Sequence, residues 1–100
     1  MESIHLPEND AQTAADFLRS LANEHRLQIL CHLLQGEMSV GELNALFPLS
    51  QSSLSQHLSV LRNQGLVSIR KSAQTRYYSI QDQDVLGVIR LLKNKFCPGD

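Results

Sequence analysis

The stretch "ELNALFPLSQSSLSQHL", residues 42–58, decides the fold. It holds two short helical segments on either side of a tight corner. Ser39, followed three residues on by Glu42, forms a capping box that opens the first segment. Pro48 disfavours helical geometry at Phe47 and stops it. Ser50 starts the second segment, "SQSSLSQHLSVLRNQG", and Gly65 ends it. In that helix Leu54, Leu58 and Leu61 share one stripe, while Ser52, Ser55, Gln56, Ser59, Arg62 and Asn63 face the other way. A helix that packs through one leucine stripe and offers small polar side chains outward meets the physical requirement for entering a DNA major groove. The pair is a helix-turn-helix candidate. The same pattern, taken alone, also describes a solvated amphipathic helix.

The flanking segments favour the first reading. After Gly65, "LVSIRK" and "TRYYSI" are rich in β-branched and aromatic residues and flank "SAQ", which reads as a hairpin. Before the corner, Ala11, Ala14, Leu18 and Leu21, with Phe17 alongside, repeat at helical spacing over about residues 10–22. Asn23 caps a second helix over about residues 24–35, closed by Gly36. Asp82 or Asp84 opens a last helix on Val85, Ile89, Leu92 and Phe96, running to Pro98. The expected order is four helices, two strands and a fifth helix: mostly α, with a β-hairpin wing.

One hundred residues make a single domain, with no repeat and no linker dividing it. A core this small gains from oligomerisation, so a dimer is expected. The net charge of −1 is unevenly spread. Between Glu42 and Asp82 there is no acidic residue, while Arg62, Arg70, Lys71 and Arg76 all fall there; that segment is +4 and the remainder −5. Such a dipole lets one region meet phosphates. No apolar run approaches the ~20 residues of a membrane span. "MESIHLPEND" carries acids where a secretory signal carries basic residues, so a cytoplasmic protein without a membrane partner is expected. An enzyme is not expected, since there is no CxxC, no paired catalytic carboxylates and no glycine-rich phosphate loop.

From "LANEHRLQIL" through "LSQSSLSQHLSVLRNQGLV" to "RKSAQTRYYSI", the chain resembles the ArsR/SmtB winged helix-turn-helix repressors, and the similarity extends over nearly its whole length. The resemblance implies a homodimer built on the first and last helices (about 10–22 and 83–96) that binds a palindromic double-stranded operator. It places the helix-turn-helix at about 39–64 and the wing at about 66–80. It puts Gln51, Ser52, Ser55, Gln56 and His57 on the DNA-facing helix, with Arg62 at its basic end, and Arg70, Lys71, Gln74, Thr75 and Arg76 in the wing. Ser55 and Gln56 are assigned to base or near-base contacts. His57 is left between a phosphate contact and a hydrogen bond within the fold.

Metal sensing is the best-known activity of that family, but its ligands are missing here. The third helix, "VGELNALF", has no cysteines, and the last helix, "DQDVLGVIRLLKNKF", has no histidine. His5, His25 and His32 include no pair at the i, i+4 spacing of a helical zinc site and read as surface or helix-end residues. No metal or other cofactor is expected. Two thiols remain. Cys31 is in helical phase with Leu27 and Leu34, so it faces the core or the last helix; by residue type alone it is a small hydrophobe, and Cys97 an exposed terminal thiol. "ILC" in the second helix and "LLKNKFCP" at the last are similar to the dithiol, reactive-sulfur-sensing subgroup typified by BigR, SqrR and HlyU. That resemblance implies that Cys31 and Cys97 are redox-sensing. A low-pKa thiolate would attack a persulfide and a disulfide or polysulfide bridge would close, altering operator binding. The alternatives are a general peroxide switch, a soft-metal or arsenite sensor with a third ligand, a small thiol oxidoreductase, and a winged helix used for protein contacts.

Overall fold

In the computed structural model, which describes residues 6–97, the order is α1 (Glu8–Leu21), α2 (Glu24–Leu33), β1 (Met38–Ser39), α3 (Val40–Leu46), α4 (Gln51–Asn63), β2 (Val67–Ser72), β3 (Thr75–Ile80) and α5 (Gln83–Phe96). Local signals set most of the helix starts. The Asn23 side chain accepts from the backbone N–H of His25 at 2.9 Å and of Arg26 at 3.1 Å. The Ser39–Glu42 capping box is complete, with bonds of 3.0 and 2.9 Å. Ser50 Oγ accepts from Ser53 N–H at 3.1 Å, and Asp82, rather than Asp84, caps α5. Caps of this kind contribute about 1 kcal/mol each.

The end of α2 and the size of the sheet differ from the sequence reading. α2 ends at Leu33, because Leu34, Gln35 and Gly36 each donate to the carbonyl three residues back and tighten the last turn. A third strand, β1, joins the hairpin: Met38 pairs with Tyr78 and Ser39 with Tyr77, giving an antiparallel sheet ordered β1-β3-β2. His5 and Pro98 lie outside the described residues.

The core gathers Leu21, Ile29, Leu30 and Leu33 with Leu43, the stripe Leu54, Leu58 and Leu61, Leu66, Val67 and Tyr78 of the hairpin, and Val85 and Ile89 of α5. Leu18 and Phe96, placed by periodicity on the apolar stripes of the first and last helices, are instead 59% and 68% exposed. Among the described residues no helix is long and apolar enough to cross a membrane.

Candidate nucleic-acid interface and cysteine groove

The leucine stripe fixes which side of α4 looks outward. Leu54, Leu58 and Leu61 are buried, and Gln51, Ser52, Ser55, Gln56 and Arg62 are exposed. Gln51 and Ser55 share a concave cleft of about 580 Å³ with Gln74, Thr75 and Arg76 of the wing. Ser52, Gln56, Arg62, Arg70 and Lys71 lie outside that cleft, on the surfaces around it. Ser39, Gly41 and Asn44 close its third side. Asn44 was not singled out from the sequence, although it is the exposed neighbour of buried Leu43 on α3 and carries both a donor and an acceptor.

The wing is a two-residue hairpin in which Ser72 pairs with Thr75 and Ala73 takes a left-handed φ of 57°. Its basic residues are not equivalent. Arg70 Nη2 donates to Glu37 Oε1 at 2.6 Å, its Nε reaches both carboxylate oxygens at 3.2 Å, and its guanidinium lies 4.4 Å from the centre of the Tyr77 ring. This contact holds the Glu37 carboxyl below the usual carboxylate range. Arg70 therefore stands in the wing with its fork occupied by an internal anion. Lys71 and Arg76 are exposed and pair across the strands, placing two cations side by side at the wing.

His57 also departs from the outward set. It follows Leu54 by three residues and precedes Leu58 and Leu61, so it belongs to the inward i, i+3, i+4, i+7 row; that spacing could have revealed its direction. Its ring is half-buried against α2, with Nδ1 at 3.4 Å from Arg26 Nη1 and its centroid 5.5 Å from that of His25. Burial, then Arg26, then His25 push its pKa below the ordinary imidazole value. His57 thus makes a hydrogen bond within the fold. His25 and His32 are likewise half-buried, His32 standing edge-on to Phe47 at 5.3 Å.

Cys31 and Cys97 line one groove of about 270 Å³ between α2 and α5, together with Leu27, Leu92, Lys93 and Phe96. Cys31 is half-buried and Cys97 exposed, both as free thiols. A second concavity beside Cys97 is lined by Arg90, Lys93, Asn94 and Gln35. The sequence leaves open which thiol is the low-pKa one, and the surroundings of Cys31 do not favour it there. Burial pushes its pKa up, the neighbouring Cys97 adds to the rise, and Lys93 only partly opposes it. Among the described residues, no three His, Cys, Asp or Glu side chains gather where they could hold a metal ion.

Residues 23–68 match the bacterial regulatory protein arsR family. The chain is 50% identical over 90 residues to the transcriptional activator HlyU of Vibrio cholerae, covering 90% of this chain and 83% of that protein. It is 41% identical over 96 residues to the biofilm growth-associated repressor of Agrobacterium fabrum, covering 94% of this chain and 82% of that protein. A structure described as reduced HlyU from Vibrio cholerae superposes with a TM-score of 0.85 at 50% identity, covering 90% of this chain and 95% of the other. A polar helix surface carried on a leucine stripe and flanked by a basic hairpin, in a chain with these relatives, has one reading: the protein belongs to the arsR family of bacterial regulators and is a winged-helix DNA-binding regulator of transcription.

Proposed function

We propose that the protein binds a palindromic operator as a homodimer and that a sulfur bridge between Cys31 and Cys97 changes that binding. Supporting the dimer, Leu18 of α1 and Leu91 of α5 stand 59% and 62% exposed on the two helices that the family resemblance assigns to the interface. Each protomer would set α4 in one major groove, the two half-sites about 34 Å apart. Ser55 and Gln56 read base edges, with Gln51 and Ser52 beside them. Gln74 and Thr75 of the wing, with the cations Lys71, Arg76 and Arg62, contact the backbone. One relative is named an activator and another a repressor, and both outcomes follow from operator binding, depending on what the operator overlaps.

The observation that carries the sensing step is the shared groove: two thiols from distant parts of the chain line one small apolar cleft. The exposed Cys97 acts first. Its thiolate takes the outer sulfur of a persulfide, whose carrier leaves as a thiol, and Cys97 becomes a persulfide. Cys31 then attacks the Cys97 sulfur, closing a disulfide and releasing hydrogen sulfide. If Cys31 has also been persulfidated, the terminal sulfur of the Cys97 persulfide attacks the inner Cys31 sulfur instead, leaving a trisulfide and hydrogen sulfide. Both routes are thiol–disulfide exchange. Burial leaves Cys31 less of its thiolate form, and the intramolecular geometry of the second step offsets that. A tenfold loss of operator affinity needs the bridged form to favour the DNA-free geometry by only about 1.4 kcal/mol.

Peptide mass spectra of protein treated separately with glutathione persulfide and with hydrogen peroxide test this. A Cys31–Cys97 link, plain or carrying extra sulfur, that forms only after persulfide supports reactive-sulfur sensing. A plain disulfide from both oxidants makes the protein a general redox switch, and no link from either ends the proposal.

A further inference from the structure

We propose that Arg26 and His57 are positioning residues for the recognition helix: the Arg26 guanidinium ties the end of α1 to α4 through a neutral His57 ring, and protonation of that ring unties them. Arg26 Nε donates to Ser20 O at 2.6 Å and Nη2 to Arg19 O at 3.2 Å, so the guanidinium is anchored on two carbonyls of the last turn of α1. Its remaining arm, Nη1, reaches His57 Nδ1 at 3.4 Å, a long hydrogen bond. A guanidinium can only donate. Nδ1 must therefore carry a lone pair, and the proton of the neutral ring sits on Nε2.

Protonation makes both ring nitrogens donors. Nδ1–H would then point at an Arg26 N–H, and the new charge would stand beside a guanidinium, with the His25 ring 5.5 Å away. From α2, the groups facing His57 are Arg26 and His25, neither of which can offset that charge. At the adjoining end of α1, Asp16 and Arg19 are bonded to each other. Acid thus acts in one direction: the tie holds while His57 is neutral and is lost as the pH falls through and below the ordinary imidazole range, because the folded protein holds this pKa down. The tie is carried by α4, so its loss lets the outward residues shift relative to the body of the protein.

This inference rests on α4 being the DNA-reading helix, and it makes a prediction opposite in sign to a phosphate contact by His57. An imidazolium against a phosphate would strengthen binding in acid, whereas an untied helix weakens it. The discriminating variant is His57→Asn, whose side-chain oxygen takes the place of Nδ1 as acceptor and does not titrate. Anisotropy on a fluorescent duplex, selected from a random pool with the wild-type protein, is measured for both proteins at about pH 7.5 and about pH 5.5. Between those pH values wild type should lose roughly fivefold more affinity than the Asn variant. Wild type losing no more affinity in acid than the variant overturns the proposal. The ring nitrogen shifts of His57 in the DNA-free protein test the tie without DNA: an Nε2–H tautomer is expected, and an Nδ1–H tautomer refutes it. Recovery of no duplex from the pool would refute the role of α4, while the tautomer would still decide the tie.

Discussion

α4 stands on a dry leucine stripe and shows small polar side chains to the outside, whereas the groove between α2 and α5 is walled by half-exposed apolar residues with a thiol on each side. Both regions lean on α2. His25 and Arg26 at its start meet α4, and Leu27 and Cys31 on its next turns face α5. The difference is in how each is coupled to the core. The outward residues of α4 are exposed, so they can be exchanged while the fold persists. Cys31 packs against the core with Leu27, Leu34 and Leu92, so any group added to its sulfur is felt as packing.

The largest effect should come from crossing between the two sides of α4. Leu58→Ala removes a fully buried side chain and should cost about 2–5 kcal/mol of stability in urea denaturation, taking DNA binding with it. Gln56→Ala, two residues away on the exposed side, should leave the denaturation midpoint unchanged. It should instead lower affinity for a selected duplex by about 1–3 kcal/mol while sparing random DNA. Wing charges should behave differently again. Lys71→Gln or Arg76→Gln should weaken all duplexes alike and reduce the salt slope of binding by about one counterion. Arg70→Gln should reduce that slope less, because its guanidinium is already held by Glu37. The groove gives the smallest change at rest. At neutral pH iodoacetamide should label Cys97 before Cys31, and the gap should narrow as the pH rises above the ordinary thiol range, since burial keeps Cys31 protonated.

What was readable from the sequence was mostly what acts over a few residues. The caps at Asn23, Ser39, Ser50 and Asp82 are local hydrogen bonds, and the stripe Leu54, Leu58 and Leu61 is a local period, so the helices and the outward face of α4 followed from them. β1 did not, because two residues carry no period and owe their strand geometry to Tyr77 and Tyr78. The Glu37–Arg70 pair joins residues 33 apart, and the His57–Arg26 contact residues 31 apart, so neither had a local signal. Leu18 and Phe96 obey helical periodicity yet stand exposed, since a period says that a face is apolar and not what covers it. At the cysteine site, the phase of Cys31 with Leu27 was legible. The direction of its pKa was not, because that depends on burial beside α5.

If the groove controls the DNA-reading surface, operator affinity must follow the state of its thiols. Operator affinity should be measured for wild type and Cys31→Ser, each fully reduced and after glutathione persulfide. Wild type should lose at least about tenfold on treatment and recover with a reductant, while Cys31→Ser keeps its reduced-state affinity. A Cys31→Ser protein that loses affinity as far as wild type does, or a bridged wild type that binds as well as the reduced form, would contradict that control.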